Sequence, residues 1–301
     1  MKLTVSVVNH QGLLPWRQQL MELERQICYP LSEGEDHFYI DMGRDPGRFF
    51  SDIGESIFLL AHKGEQLAGF TCFVKKQIGI GASVHNALYM AGLKVAPSFR
   101  GQGVVQRMLF KGLRTWVWRP GLYNVSAIFG AAMVSDNGTD VRQSFSRQAL
   151  GYSSRTTAEL LVYSVAGDIL ANISDSAPPW PQEGFTQLST DLPCIVDNQE
   201  VKSFRLVSTG QRWKQVHLPF SAPYWPDGLG HYLRKSGQII CQKWPGHAGV
   251  FAIDTTLAEQ HAFLRSFGIT PWGRCRILTW DIPWRRSPWS GAPIHLSTSE
   301  I

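Results

Sequence analysis

The chain has 301 residues, of which 44% are hydrophobic, 12% aromatic and 18% charged, and its net charge is +5. These proportions are typical of a folded globular protein and exclude a disordered chain or a fibrous repeat. Apolar runs stay below the ~18 residues that a membrane helix needs, and the first residues show no signal peptide, so we expect a cytoplasmic protein without a membrane span.

The first half of the chain shows alternating strand and helix patterns, and turn residues separate them. In chain order we predict a strand at 3–8, a helix at 14–27, a hairpin at 57–74, a strand at 88–95, a helix at 105–118, a strand at 123–134, a helix at 139–150 and a strand at 160–165.

A proline-rich stretch at 172–184 has the composition of a linker. It predicts two domains, 1–168 and 169–301. In the second domain we predict strands at 231–241 and 249–254, a helix at 257–267 and an irregular tail from residue 283. The expected architecture is therefore an α/β domain followed by a C-terminal α+β domain.

The positive charge is concentrated in one stretch of the first half. Between Glu65 and Asp136 there is no acidic residue, whereas eight lysines and arginines lie there. Such a stretch favours a polyanion, which leaves nucleic acid, a nucleotide cofactor or an acidic membrane open; a solvated basic face is the structural alternative.

A glycine-rich loop lies inside this stretch, between a predicted strand and a predicted helix. Its sequence is Arg100-Gly101-Gln102-Gly103-Val104-Val105. A loop of this kind presents main-chain N–H groups at the positive end of the helix dipole, where a phosphate or a diphosphate binds well. The sequence is neither GxxxxGK[ST] nor GxGxxG, so it supports neither a P-loop nor a Rossmann site.

The loop resembles the acyl-coenzyme A loop of the GCN5-related N-acetyltransferases, in which a strand ending in Val-x-Pro leads into Arg-Gly-x-Gly and a helix. Val95-Ala96-Pro97 and the residues 100–103 match this motif, and Leu150-Gly151-Tyr152 resembles the family's Leu-Gly-Phe. The resemblance covers residues 1–165. It implies a mixed, mostly antiparallel central sheet with flanking helices, and acetyl-coenzyme A or a longer acyl-coenzyme A as the donor. Val105 departs from the family, which prefers glycine or alanine there.

The resemblance also implies which residues hold the donor. The amides of residues 102–105 are expected at the pyrophosphate, and the strand at 93–95 is expected beside the pantetheine arm. The residues assigned to the donor on this basis are Leu93, Lys94, Val95, Arg100, Gly101, Gln102, Gly103, Val104, Val105 and Asn137.

The acid–base groups that the family often uses are missing. Members often carry a glutamate on a splayed strand and a tyrosine in the later helix. Here residues 82–95 contain no carboxylate, and Ser146 or Arg147 stands where the tyrosine is expected. Correct alignment of amine and thioester can nevertheless remove ~7 to 11 kcal/mol of the barrier without a side-chain base.

Three other residues are candidates for catalysis. His85 and Tyr89 are four apart in an extended segment and so share one face, and Asp136 follows the next strand. Each has a structural alternative, since Tyr89 suits a core, His85 a solvated loop and Asp136 a helix cap.

The second half offers fewer signals. His217, His231, His247 and Cys241 fit no metal-site spacing, and the five cysteines of the chain form no CxxC pair, so no metal site is predicted. Residues 212–254 resemble a second acyltransferase half that has lost its glycine loop, and such a half would shape the acceptor pocket.

Together these features predict an N-acyltransferase that moves an acetyl or longer acyl group from a coenzyme A thioester to the amine of a small molecule or peptide. The alternative is an acyl-coenzyme A-binding protein of the same fold without turnover. Nucleic acid is the less favoured partner, and the oligomeric state stays open.

Overall fold

The structure is a computed structural model, and two sheets with flanking helices form its framework. It describes residues 2–30, 36–118, 124–134, 154–175, 185–189, 195, 197, 201–219, 228–282, 287–289 and 291–301.

The strands and helices are numbered along the chain. The strands are β1 (Thr4–Val8), β2 (Tyr29–Pro30), β3 (His37–Asp41), β4 (Glu55–Lys63), β5 (Gln66–Ile80), β6 (Ser83–Val95), β7 (Ala127–Val134), β8 (Arg155–Ala166), β9 (Thr186–Gln187), β10 (Ser203–Leu206), β11 (Gln215–His217), β12 (Ala248–Asp254), β13 (Gly273–Trp280) and β14 (Ile294–His295). The α-helices are α1 (His10–Leu13), α2 (Arg17–Arg25), α3 (Arg48–Ile53), α4 (Val104–Trp118), α5 (Gly167–Ala171), α6 (Leu229–Lys243) and α7 (Ala258–Ser266). Short 3₁₀ helices cover Leu14–Trp16, Pro97–Phe99 and Thr298–Glu300.

Most of the strands belong to one continuous sheet. Over the described residues its order is β1-β4-β5-β6-β7-β13-β8-β12-β11; in addition β9 pairs with β5, and β14 pairs with β9. The pairs β6/β7, β11/β12 and β9/β14 are parallel, and the other pairs of this sheet are antiparallel. A second sheet has the order β10-β3-β2. The expected mixed, mostly antiparallel sheet with flanking helices is confirmed.

The sequence of the central strands explains their position. Residues 57–61 of β4 are apolar and all buried, as expected of a strand that is covered on both faces. Helix α4 covers one face closely: a side chain at Gly112 would place its Cβ 2.4 Å from the Phe73 ring of β5. Only glycine allows this approach of helix to sheet.

Strand β13 links the two halves of the chain. It comes from residues 273–280 but lies between β7 and β8, and it pairs antiparallel with both. Cys275 and Ile277 of this strand have no exposed surface. The sheet is therefore continuous across the boundary expected at residue 168, and that boundary stays a prediction.

Two secondary-structure predictions were wrong. The tail from residue 283, expected to be irregular, contains strand β14 and the 3₁₀ helix Thr298–Glu300. Residues 231–241, expected as a strand, lie within helix α6. Leu229, Leu233, Gly237 and Ile240 recur at helical spacing and are buried. A Cβ on Gly237 would come within 2.2 Å of the Ala171 main-chain nitrogen in α5. Gly237 therefore allows α5 and α6 to pack closely, and it does not mark a strand.

Among the described residues no helix is long and apolar enough to cross a membrane.

Because β13 stabilises both neighbours, we expect Ile277→Ala to lower the free energy of unfolding by about 2–5 kcal/mol, the usual range for a buried isoleucine. Urea denaturation measures this change. The matched control is Val84→Ala, whose side chain is 72% exposed and whose loss should change stability by less than about 0.5 kcal/mol. Equal effects of the two substitutions would contradict the central position of β13.

Candidate functional site

Strands β6 and β7 separate part of the way along their length. Their parallel pairing covers residues 87–89 and 127–129, whereas β6 continues to Val95 and β7 to Val134. The residues beyond the last pair, Tyr89↔Phe129, line an open space between the strands. An opening in the middle of a sheet gives a ligand access to main-chain groups that would otherwise pair with each other.

A β-bulge lies next to this opening. Phe70 of β5 pairs with Lys94 and Cys72 pairs with Ala91, so Thr71 faces both Gly92 and Leu93. Gly92 has φ +61°, which favours glycine, and a Cβ there would lie 3.0 Å from the Phe50 ring. The Thr71 hydroxyl donates to the Ala91 carbonyl at 3.2 Å. Bulges of this kind are frequent beside active sites, where they redirect the strand.

A cavity of ≈160 Å³ occupies the space between the separated strands. Both halves of the chain contribute to its wall, which is mostly apolar. A cavity of about 150 Å³ in another protein holds a benzene molecule, so this one has room for a group of roughly that size. Its larger apolar side chains include Phe38, Phe49, Phe50, Met90, Met133 and Trp272.

Two buried ion pairs flank the cavity. Lys94 of β6 pairs with Glu24 of α2, and Lys76 of β5 pairs with Glu300. Burial opposes the charge on Lys94, but the Glu24 carboxylate and Tyr29 together outweigh burial and raise the pKa of Lys94. For Lys76 burial outweighs Glu300, and its pKa is lowered. Breaking such a pair leaves a buried charge uncompensated, so these pairs fix the cavity wall.

Tyr89 lies at the point where the strands separate. Its ring stacks on Phe129 with centroids 4.8 Å apart, and its hydroxyl donates to the main-chain oxygen of Glu300 at 2.6 Å. The residue lines the cavity and joins β6 to the segment at 298–301.

His217 of β11 reaches the cavity from the second half. Its Nδ1 lies 2.9 Å from the Thr298 hydroxyl, which donates to the Val250 carbonyl at 3.1 Å. The Thr298 oxygen therefore accepts from Nδ1–H, and Nε2 carries the lone pair. Burial, together with the nearby charge of Lys202, lowers the pKa of His217 to about 3, so the imidazole is neutral at pH 7.

The predicted catalytic residues do not meet in this cavity. Of the described candidates, Tyr89 lines it and His85 does not. The His85 ring contacts the Ser126 hydroxyl at 3.2 Å, about 13 Å along the strand from Tyr89 at 3.3 Å per residue. Asp136 and Asn137 lie outside the described residues, as do the helix predicted at 139–150 and Leu150-Gly151-Tyr152.

The glycine loop leads directly from β6 into α4. Gly101 and Gly103 have φ +76° and +70°, a region that favours glycine. A Cβ on Gly101 would meet nothing within 4 Å, and one on Gly103 only the Gln106 side chain at 3.7 Å. The Gln102 N–H donates to Phe99 O at 3.3 Å, while the N–H groups of the first helical residues lack intrahelical acceptors. The loop thus offers donors on an open surface.

The arrangement of these elements matches a solved structure. A tandem GCN5-related N-acetyltransferase (GNAT) protein from the clavulanic acid biosynthesis pathway aligns with a TM-score of 0.52 and 12% sequence identity, covering 92% of this chain and 98% of its own. The chain has the tandem GNAT fold. A GCN5-related N-acetyltransferase from Kribbella flavida is also 12% identical, with a TM-score of 0.45 over 92% of this chain and 70% of its own. No family model and no curated protein matches the sequence.

Some of the residues predicted to hold the donor lie beside the cavity. Leu93 and Lys94 line it, and Val95 completes the strand. The short 3₁₀ helix Pro97–Phe99 begins two residues after the end of β6, and the loop at 100–103 and the first helical residues, Val104 and Val105, follow it. The structure thus brings the strand and the loop to one end of the sheet. The Lys94 side chain itself forms an ion pair with Glu24.

Sequence reasoning missed the polar side chains that the second half brings to the cavity, which include Lys202, His217 and Glu300. No short motif marks them, because they are far apart in the chain and meet only through tertiary packing.

The low pKa of His217 predicts a stability that depends on pH. Its pKa is 6.5 in the unfolded chain and about 3 in the folded chain, so between these values the unfolded chain binds more protons and stability falls as pH falls. His295, buried with a pKa of about 3, adds a second contribution. We expect His217→Gln to reduce the slope in urea denaturation below pH 6.5 by up to about 1.4 kcal/mol per pH unit. The exposed His37→Gln should leave the slope unchanged, and an unchanged slope for His217→Gln would contradict the prediction.

Proposed function

We propose that this protein is an N-acyltransferase that uses an acyl-coenzyme A thioester as donor and an amine as acceptor. The observation that carries the proposal is the cavity between β6 and β7, with the glycine loop and the start of α4 at the same end of the sheet. A thioester arm between the separated strands and a diphosphate at the helix start would occupy both features at once.

The diphosphate is assigned to the main-chain N–H groups of Gly103, Val104 and Val105. The Gln102 N–H already donates to Phe99, so the first helical residues are the better donors. Arg100 and Arg107 are exposed near the same end of α4 and supply positive charge for the phosphates of coenzyme A. The basic stretch found in the sequence has a use in this arrangement.

The donor arm and the acyl group are assigned to the cavity. Main-chain groups of Leu93, Lys94 and Val95 would pair with the amides of the pantetheine arm, and the acyl carbon would lie near Ala91 and Gly92. A mostly apolar space of ≈160 Å³ is larger than an acetyl group needs. We therefore favour an acyl group, or an acceptor, with an apolar part the size of an aromatic ring.

The two halves of the chain would then have different tasks. Residues 1–168 hold the donor, and residues 169–301 contribute Lys202, Phe204 and His217 to the side of the cavity that an acceptor would contact. Strand β13 fixes their relative position, because it pairs with β7 of the first half. Precise alignment of amine and thioester is itself a large part of catalysis.

A replacement in the loop tests donor binding. We expect Gly103→Val to weaken acetyl-coenzyme A binding at least tenfold, because a branched side chain disfavours φ +70° and covers the helix start. Isothermal titration and the thermal shift with acetyl-coenzyme A measure it. Gly81→Val is the matched control, since Gly81 has φ +58° in a turn with nothing within 4 Å of a Cβ. It should carry the same strain but retain the affinity of the wild type. Equal affinities for both variants would remove the loop from the donor site.

The second candidate is a protein that binds acyl-coenzyme A without turnover. Among the described residues that line the cavity, the carboxylate side chain is that of Glu300, and Lys76 neutralises it. This observation favours a site without a carboxylate base.

Free thiol release separates the two candidates. With acetyl-, hexanoyl- and benzoyl-coenzyme A and a mixture of amines, we expect thiol release that depends on the amine and is fastest with a longer donor. The wild type without amine is the control. Saturable binding of the donor without amine-dependent thiol release would support a protein that binds acyl-coenzyme A without turnover.

A further inference from the structure

One nitrogen on the cavity wall is a free hydrogen-bond acceptor. His217 lines the cavity, is 2% exposed and donates from Nδ1 to the Thr298 hydroxyl at 2.9 Å, and that hydroxyl donates to the Val250 carbonyl at 3.1 Å. This chain fixes the tautomer and leaves the lone pair on Nε2. The imidazole is neutral, because burial and the charge of Lys202 lower the pKa of His217 to about 3. Nε2 has no partner among the described residues, so a ligand that donates a hydrogen bond would satisfy it.

Aromatic rings extend from His217 along one side of the cavity. The centroid of the Phe204 ring lies 6.3 Å from that of the imidazole, and the Phe38 ring lies 5.1 Å from Phe204. Trp272 continues the series at 5.9 Å from Phe38. All four side chains line the cavity, and these distances are usual for packed aromatic pairs. A ligand that packs on this surface therefore has Nε2 at one end of its binding site.

The acidic groups beside the cavity already have lysine partners. Three lysines are matched in this way, in the pairs Lys94–Glu24, Lys76–Glu300 and Lys202–Ile301. In the third pair the lysine donates to a main-chain oxygen. An ammonium group in the cavity would therefore compete with a lysine for each of these oxygens. Burial of an unpaired charge costs far more free energy than burial of an uncharged amine that makes a hydrogen bond.

We propose, on the basis of the proposed function, that the acceptor binds as an uncharged amine and donates one N–H to Nε2 of His217. The group that carries the amine lies on the aromatic rings, and the acyl group lies on the side formed by β6 and β7. The hydrogen bond uses an N–H and leaves the lone pair of the amine for the thioester carbonyl. The acceptor class is therefore a weakly basic amine, uncharged at pH 7, on an apolar or aromatic group.

Two matched amines test the proposal in the wild-type protein. O-benzylhydroxylamine and 2-phenylethylamine have the same ring and nearly the same length, but at pH 7 the first is uncharged and the second is protonated. Isothermal titration with saturating coenzyme A thiol measures their binding without turnover. At pH 7 we expect the first to bind about 100-fold more tightly. From pH 7 to 9 the Kd of the second should fall about tenfold per pH unit, as its uncharged fraction grows, while that of the first stays constant.

A variant of His217 tests the hydrogen bond itself. His217→Phe keeps an aromatic ring but has no lone pair in its plane. We expect it to raise the Kd of O-benzylhydroxylamine about tenfold and to keep the Kd of coenzyme A within about threefold. His217→Gln retains an acceptor oxygen and should lose less affinity. The control is the exposed His37→Phe, which should bind both amines like the wild type. Unchanged affinity in His217→Phe overturns the proposal.

The possible failures can be told apart. If 2-phenylethylamine binds as tightly as O-benzylhydroxylamine at pH 7, the site takes an ammonium group, and only the present proposal fails. If neither amine binds while other amines support thiol release, the same conclusion holds. If the protein binds donor but no amine gives thiol release, the proposed function fails and this proposal fails with it. The comparison of the two amines needs no variant, so it decides the question even if His217→Phe does not fold.

Discussion

The parallel pairing of β6 with β7 stops after three residue pairs, and the site depends on this interruption. Main-chain groups in the interior of a sheet normally pair with each other, and a buried group without a partner costs free energy. Beyond Tyr89 and Phe129 the strands are held apart by the bulge at Gly92 on one side and by β13 on the other. The opening is therefore built into the register of the sheet.

The second feature of the site is buried charge beside apolar walls. Lysines are rarely buried, and a charge in such surroundings must be paired, neutralised or matched by a ligand. Two lysines near the cavity have glutamate partners, and a third lies between aromatic rings. Such an arrangement contributes little to stability, since apolar residues would fill the same space at least as well. Stability alone therefore does not account for the buried lysines.

Local patterns allowed most of the first half to be predicted. The hairpin of β4 and β5, the strand β6 and the helix α4 all have regular apolar spacing and clear turn residues, and the glycine loop identified the fold from a few residues. The helix α6 was misread because Gly237 and the pair Ile239-Ile240 favour a strand locally, whereas contact with α5 decides the outcome. The small sheet of β2, β3 and β10 was missed because it joins short segments far apart in the chain. Lys202 and His217 were missed for the same reason. They are far from the other cavity residues in the sequence and meet them only in the folded chain, and no motif marks them.

The position of β13 has a consequence for biogenesis. Strands β7 and β8 leave the ribosome long before residues 273–280 do, and until then their facing edges have no neighbour. Strands that are so far apart in the sequence pair slowly, and the exposed edges of β7 and β8 can associate with other chains in the meantime. The cavity between β6 and β7 would therefore become complete only after residues 273–280 have been synthesised and have paired with both strands.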